Sequence, residues 1–187
     1  MKRLRVLLAA VVVGTIFVAC EPFLIKQDQF PDFKAPADKA LCVVIRPSGM
    51  FGDLSKIYCD GTIEGGTYGN NVMSFEVNPG SHLILSKIRA TSNVKLNFQA
   101  GKVYYILQAA FPIPFVGTNT SLSPMPGSEA TAKLEQEKGK CKYATYNVKS
   151  QEPNLDKKDV DELMKDYDEW AGKNPDKAKA EADYPGY

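Results

Sequence analysis

Apolar and polar residues alternate along the middle of the chain, over residues 72–110. In residues 94–99 the period is strictly two, with Val94, Leu96 and Phe98 on one face and polar side chains on the other. Asn78-Pro79-Gly80 and Ala100-Gly101 interrupt the pattern with turn-forming residues. The region is therefore predicted to be a run of antiparallel strands that buries one face against a second layer.

Shorter strand patterns flank this region on both sides. Residues 40–46 and 55–59 are predicted strands, and Asp60-Gly61 is a strong hairpin signal before the return strand that begins at Thr62. Residues 120–123 add a further candidate. The fold class predicted for residues 39–125 is a mainly β, small antiparallel β-sandwich of about seven strands.

The C-terminal residues 126–187 are predicted to form a charged, mostly helical extension. Residues 128–138 are a short helix with Ser128 as N-cap and Gly139 at its end, and residues 140–148 are a candidate edge strand. A longer helix capped by Asp156 follows. Its apolar stripe consists of Val160, Leu163, Met164, Tyr167 and Trp170.

The N-terminus has the pattern of a bacterial lipoprotein signal peptide over residues 1–19. Three basic residues precede an apolar run at residues 6–19, which is shorter than the roughly 20 residues of a membrane-spanning helix. Phe17-Val18-Ala19-Cys20 resembles a lipobox, which implies acylation of Cys20, for example with palmitate, followed by an extended tether over residues 20–38. The alternative is an ordinary secretory signal with a chance cysteine. Because Glu21 rather than aspartate follows, the resemblance to enterobacterial lipoproteins implies the periplasmic face of the outer membrane.

The charge balance of the chain argues against a nucleic-acid partner. Removing Lys2, Arg3 and Arg5 leaves 20 of the 23 basic residues against 22 acidic ones. No basic excess remains for a nucleic acid, and export from the cytoplasm argues against one as well. The partners expected are therefore the lipid bilayer, through Cys20, and an envelope protein.

Cysteines matter in an oxidising compartment, and three remain if Cys20 carries lipid. If residues 40–46 and 55–59 form a hairpin, Cys42 and Cys59 face each other and can form a disulfide. Cys141 then either captures one of them or stays free. No metal site and no cofactor are predicted, because the chain has no Cys-x-x-Cys and its only histidine, His82, is far from the cysteines in sequence.

No residue is predicted to be catalytic. Ser92 and Lys95 match a Ser-x-x-Lys motif, but residues three apart on a strand point to opposite faces. His82 directly follows the Pro79-Gly80 turn, where a structural hydrogen bond is favoured over catalysis. Motifs for phosphate loops, dinucleotides and metalloproteases are absent from the sequence. The chain is predicted not to be an enzyme.

Two surfaces are candidates for partner contact. The apolar segment at residues 111–117 contains Phe111, Ile113 and Phe115, and its prolines predict an irregular loop that docks a partner or rests on lipid. A loop that only covers the end of the sandwich is the favoured alternative. The second is the helix that carries Trp170, for which packing onto the sandwich is the favoured alternative. A further hypothesis is an envelope glycan (peptidoglycan)-binding module, with exposed tyrosines as stacking platforms: Tyr68, Tyr104 and Tyr105.

Four short motifs occur in order behind the lipobox, at residues 43–49, 58–61, 75–82 and 100–105. Together they resemble the bacterial lipoprotein family that carries domain of unknown function 2846, and the turn at residues 77–82 is also similar to PEGA β-domains. The resemblance covers roughly residues 39–123. It implies a β-sandwich lipoprotein and brings no established activity and no catalytic residues.

Overall fold

Ten strands and three helices are present in the part of the chain that the computed structural model describes, residues 24–49, 53–115, 117–146 and 153–187. The strands are β1 (Leu24–Gln27), β2 (Ala40–Arg46), β3 (Ser55–Cys59), β4 (Thr62–Thr67), β5 (Asn71–Val77), β6 (Gly80–Lys87), β7 (Thr91–Phe98), β8 (Val103–Ile113), β9 (Gly117–Met125) and β10 (Lys142–Tyr146). The helices are α1 (Gly127–Glu137), α2 (Lys157–Lys173) and α3 (Pro175–Ala182). The strands form two sheets, which confirms the predicted mainly β, sandwich-like fold with more strands than expected.

The larger sheet has six strands in the order β1-β10-β5-β2-β8-β9. Its strand β2 is apolar from Ala40 to Ile45 and buried along its whole length, as expected for a strand covered on both faces. Cys42 and Val44 face the inner core, whereas Val43 and Ile45 face an outer one. Strand β2 pairs antiparallel with β5 and parallel with β8.

The smaller sheet has the order β4-β3-β6-β7, and every pair in it is antiparallel. Its inner face carries apolar residues such as Ile57, Ile84 and Leu96. These pack against Phe75 and Ile106 of the larger sheet. The main core therefore lies between the sheets, as predicted from the alternating pattern.

The pairing within residues 72–110 differs from the predicted run of antiparallel neighbours. Only β6 and β7 pair with each other, whereas β5 and β8 both lie in the larger sheet beside β2. The predicted hairpin of β2 and β3 is also wrong, because the two strands belong to different sheets. The reason is that β2 is apolar on both faces and takes a central position in the larger sheet. The chain therefore crosses from one sheet to the other between β2 and β3 and between β5 and β6, where hairpins were expected.

Both outer faces are covered. Helix α1 and the segment that contains Phe30 and Phe33 pack on the larger sheet, and α2 packs on the smaller one. The described part of the predicted tether thus lies on the domain, and its residues 24–27 form β1. Strand β10 was expected at an edge but is flanked by β1 and β5. Residues 126–146 and 153–187 are consequently integral to the described fold.

Helix ends agree with the local signals to within a residue or two. The Asp156 carboxylate accepts a hydrogen bond from the Asp159 N–H at 2.8 Å, which confirms the predicted cap of α2. Helix α1 has Pro126 rather than Ser128 as its N-cap. The Asp60-Gly61 turn joins β3 to β4 with positive φ angles of 49° and 85°, as an Asp-Gly hairpin requires.

A cluster of polar side chains, here called the polar cluster, lies buried between the sheets. It consists of Ser55, Thr67, Ser86, Gln108 and Thr120, from five different strands. The Gln108 amide donates to the hydroxyls of Ser55 and Ser86 at 2.7 Å each and accepts from Thr67. The Ser86 and Thr120 hydroxyls are 2.7 Å apart. Sequence reasoning missed this cluster, because each strand was expected to place apolar residues on its inner face.

Arg46, at the end of β2, is fully buried. Its Nη1 donates to the carbonyl oxygens of Asp53 and Thr67 at 3.0 and 3.1 Å. Burial lowers the pKa of the guanidinium, and the Asp53 carboxylate acts in the opposite direction. Arg46 thereby joins β2 to the end of β4 and to the residues before β3.

Glu137, the last residue of α1, has a buried carboxylate and is only 2% exposed. It accepts hydrogen bonds from the Ser48 N–H at 2.9 Å and the Cys141 thiol at 3.5 Å, and pairs with Lys133 at 3.0 Å. Burial acts to raise the pKa of Glu137, but these bonds outweigh it and lower the pKa to about 2. The carboxylate fastens α1 to the loop after β2.

Replacing Glu137 with glutamine is expected to lower the free energy of unfolding at pH 7 by about 2 kcal/mol. Because the folded-state pKa lies below the ordinary value of 4.5, the stabilisation is fully present above pH 4.5 and is lost as the pH falls towards 2. The difference between wild type and variant should therefore shrink over that range in urea titrations. Glu135→Gln, on the exposed side of α1, is the control. A difference that does not change with pH would contradict the role assigned to the charge.

Candidate functional site

The ends of β8 and β9 form a hairpin that extends beyond β2, and its residues 111–115 and 117–119 are here called the hairpin arm. Strand β8 pairs with β2 only as far as Leu107 but with β9 as far as Ile113. Phe111 is 43% exposed and Phe115 is fully exposed. Phe111 and Ile113 alternate with Pro112 and therefore share one face of β8. The structure thus brings the three predicted contact residues of this segment onto the hairpin arm.

The irregular loop predicted here is wrong, because the segment is an extension of two paired strands. Pro112 lies opposite Thr118, and Ile113 lies opposite Gly117. Proline is tolerated because β8 has no partner from β2 at this height, so no ladder hydrogen bond on that side is lost. Phe115 has a φ of 64°, a left-handed conformation that is uncommon for an aromatic residue. The Arg89 guanidinium lies against Gly117, which pairs with Ile113 next to the turn, so a positive charge stands near the tip of the arm.

Strand directions place the arm at one end of the larger sheet. Strand β1 is antiparallel to β10, which is parallel to β5, and β5 is antiparallel to β2. Strand β1 therefore runs in the same direction as β2 and β8. It begins at the end of the sheet where β8 also begins, and the arm lies at the opposite end.

Trp170, the fourth predicted contact residue, is not part of the arm. It lies on α2 and packs with Tyr167, Leu163 and Met164 on the outer face of the smaller sheet. The rings of Tyr167 and Trp170 have centroids 5.4 Å apart. The alternative in which this helix packs onto the sandwich is confirmed, and Trp170 is only partly exposed.

The tyrosines of the glycan hypothesis are not equivalent. Tyr104 is fully buried in the main core, and its hydroxyl donates to the Asn97 carbonyl and accepts from the Gln99 N–H. It cannot stack on a sugar, so this part of the hypothesis is wrong. Tyr105 is half-buried, whereas Tyr68 is 51% exposed with the Lys26 ammonium 5.2 Å from its ring centre. Tyr68 alone remains as an exposed platform.

His82, Asp60 and Cys59 form a cluster that the sequence did not predict. Strands β3 and β6 are neighbours, and Cys59 is registered opposite Ile84, so the histidine comes close to the cysteine in space. His82 Nδ1 and Asp60 Oδ2 are 2.6 Å apart, which is the structural hydrogen bond expected for this histidine. One imidazole nitrogen, the thiol sulfur and one carboxylate oxygen all lie within 4.8 Å of one another. Distance in sequence was therefore the wrong reason to separate His82 from the cysteines.

The surroundings of this cluster are acidic. Burial raises the pKa of the Cys59 thiol to about 12, and the carboxylates of Asp60 and Glu64 act in the same direction. Burial also raises the pKa of Glu64. A thiol in such an environment stays protonated at neutral pH, so it is a poor nucleophile by itself.

The Ser92 and Lys95 side chains lie on opposite faces of β7, as expected. Ser92 Oγ accepts a hydrogen bond from the Leu122 N–H at 3.0 Å on the inner side. Lys95 Nζ lies 3.8 Å from Asp168 on α2, on the outer side. The two residues do not form a catalytic pair.

Cys42, Cys59 and Cys141 are free thiols in this structure. Cys42 and Cys59 belong to different sheets, yet both border the main core, and the Cys59 thiol contributes to the raised pKa of Cys42 after burial. The disulfide between them stays a prediction, without the hairpin that suggested it. Cys141 is buried beside Glu137 and the carbonyl oxygen of Arg46.

Some expectations concern residues outside the described part of the chain. The signal peptide and Cys20 lie before residue 24. Among the described helices, none is both long enough and apolar enough to span a bilayer. Comparison with models of known protein families gives no match, and comparison with curated proteins gives none either. The lipoprotein-family resemblance therefore stays a prediction, and no residue role is taken from it.

Proposed function

We propose that this chain is a lipid-anchored bacterial envelope protein, held on the periplasmic face of the outer membrane by acylated Cys20, and that its β-sandwich is a non-enzymatic interaction module. The hairpin arm is the contact surface, and its partner is another envelope protein. The observation that carries this proposal is the exposure of Phe111 and Phe115 on the hairpin arm. The aromatic residues of α2, in contrast, are packed on the outer face of the smaller sheet.

The chemistry of the arm favours a protein partner with an apolar groove. Burying one phenylalanine side chain contributes about 1.5–3 kcal/mol, so two of them supply a substantial anchor. The left-handed backbone at Phe115 costs about 1–2 kcal/mol and would suit glycine or asparagine better. A strained, solvent-exposed aromatic residue is better explained by binding than by folding. Arg89 near the tip of the arm favours an acidic rim on that groove.

The position of Cys20 relative to the arm also favours a periplasmic protein as the partner. Only residues 21–23 separate Cys20 from β1, a reach of about 14 Å at full extension. The beginning of β1 would thus stay close to the bilayer. Strand β8 has 11 residues, or about 35 Å, and the arm lies at its far end. The arm therefore points away from the membrane that holds the lipid, towards proteins of the periplasm.

A photo-crosslinking residue at position 115 in cells fed labelled palmitate tests both parts. We expect palmitate label on the wild-type chain and none on Cys20→Ala, together with recovery in the outer membrane. We also expect a crosslink to one envelope protein from position 115. The matched control is position 100, an exposed residue in the turn at the other end of β8. Phe111→Ser should weaken the crosslink at least tenfold.

The palmitate label tests the lipid anchor, and the crosslink tests the contact surface, so each can fail without the other. Equal absence of label from wild type and Cys20→Ala would remove the lipid anchor from the proposal. Label without a crosslink at position 115, or with equal crosslinks at positions 115 and 100, would remove the arm as the contact surface. Retention of the purified domain on peptidoglycan that depends on Tyr68 would instead support the glycan-binding alternative.

A further inference from the structure

The cluster of Cys59, Asp60 and His82 offers three different donor atoms to a single point. Imidazole nitrogen, thiolate sulfur and carboxylate oxygen are the ligands that Zn²⁺ takes from proteins, with bonds of about 2.0–2.3 Å. Two such ligands on one ion lie about 3.5 Å apart. The ligand atoms here already lie within 4.8 Å of one another, so modest side-chain rotations would bring them to that spacing.

The Asp60 carboxylate already lies beside the imidazole. Its Oδ2 is 2.6 Å from Nδ1 of His82, and its Oδ1 accepts a hydrogen bond from the Leu83 N–H at 2.9 Å. The bond to Leu83 holds the carboxylate in place. An ion between Oδ2 and Nδ1 would replace their hydrogen bond with two coordination bonds.

The local charge also suits a cation. Asp60 and Glu64 both act on the Cys59 thiol, and the negative potential that disfavours a bare thiolate attracts a divalent ion. Cys59 is half-buried, and Asp60 is exposed, so an ion has access from solvent.

We propose that Cys59, Asp60 and His82 form a binding site for a divalent transition-metal ion of the zinc class. On binding, the Cys59 S–H bond breaks, the sulfur forms a bond to the metal, and the proton passes to solvent. A thiolate, a carboxylate and a neutral imidazole carry two negative charges, which the ion balances. Three protein ligands leave a fourth position for water, so the site is open, unlike a closed four-ligand structural site.

This site and the predicted Cys42–Cys59 disulfide exclude each other, because one sulfur cannot serve both. The redox state of Cys59 in the exported protein is therefore part of the test. The metal site is independent of the hairpin arm and of the lipid anchor.

Titration of the full-length mature protein with Co²⁺, followed by displacement with Zn²⁺, is the experiment. We expect one Co²⁺ per chain and a thiolate-to-cobalt charge-transfer absorption that Zn²⁺ abolishes. Cys59→Ser should remove this absorption, and His82→Gln should weaken binding at least tenfold. Cys141→Ser changes another buried thiol outside the cluster and should leave both unchanged.

Three results would overturn the proposal. The first is the absence of a thiolate band in the wild type, and the second is an equal band in Cys59→Ser. The third is a Cys42–Cys59 disulfide in protein isolated from the envelope without reductant. Cys59 borders the main core. If its serine variant fails to fold, His82→Gln is the deciding variant, and unchanged affinity there also contradicts the site.

Discussion

Gln108→Met is expected to lower the free energy of unfolding by about 3 kcal/mol or more. Methionine has a similar volume, so the core stays filled, but the hydrogen bonds to Ser55, Ser86 and Thr67 are lost. Each buried hydroxyl left without a partner costs about 1–3 kcal/mol. Ser55 and Ser86 keep their mutual hydrogen bond at 2.7 Å, which limits the loss.

Urea unfolding followed by circular dichroism measures this effect. Gln99→Met is the matched control, since Gln99 is exposed just after β7, and its effect should stay within about 0.5 kcal/mol. A fall of similar size for both variants, or none for Gln108→Met, would show that the polar cluster does not stabilise the fold.

Gly61→Ala is expected to destabilise the protein by about 2–4 kcal/mol and to detach the start of α2. The φ of Gly61 is 85°, where an alanine costs about 1–2 kcal/mol. Its Cβ would also lie 2.3 Å from Cγ2 of Val160, on a β-branched side chain that cannot turn away easily. The Gly61 carbonyl accepts a hydrogen bond from the Leu155 N–H at 2.8 Å. A backbone movement that relieves the clash with Val160 would strain this hydrogen bond as well.

Trp170 is the only tryptophan in the chain, and its fluorescence reports on the packing of α2. Gly139→Ala separates the two causes, because Gly139 has a φ of 77° but nothing within 4 Å of the added Cβ. It should show the backbone cost without the change in fluorescence. Val160→Ala should rescue part of the loss in the Gly61→Ala background. If Gly139→Ala and Gly61→Ala are equally destabilised and leave Trp170 unchanged, α2 does not rest on this turn.

Local rules predicted most elements of the fold but not their partners. The Asp60-Gly61 hairpin and the Asp156 cap are confirmed because each depends on residues within a few positions of one another. Strand pairing is different, because any apolar alternating strand can pair with several others. Strand β5 pairs with β2 and not with β6, its neighbour in sequence. That choice depends on which strand can be buried on both faces.

The sequence also predicted one candidate site and missed the other. The sequence singled out Phe111, Ile113 and Phe115 as an exposed apolar segment, and the structure places them on one arm. The approach of His82 to Cys59 could not be predicted, because it follows from the pairing of β3 with β6. Tyr104 was proposed as exposed since alternation alone does not say which face of a strand is outward.

By itself, the sequence determined the mainly β class, the turns, the helix starts and a stripe that had to be buried on α2. These depend on backbone preferences and periodicity over a few residues. Only the tertiary structure decided the strand order, the burial of Gln108 and the meeting of Cys59 with His82. These features depend on contacts between segments that are distant in sequence. Such contacts form when β2 takes the centre of the larger sheet and the two sheets pack together.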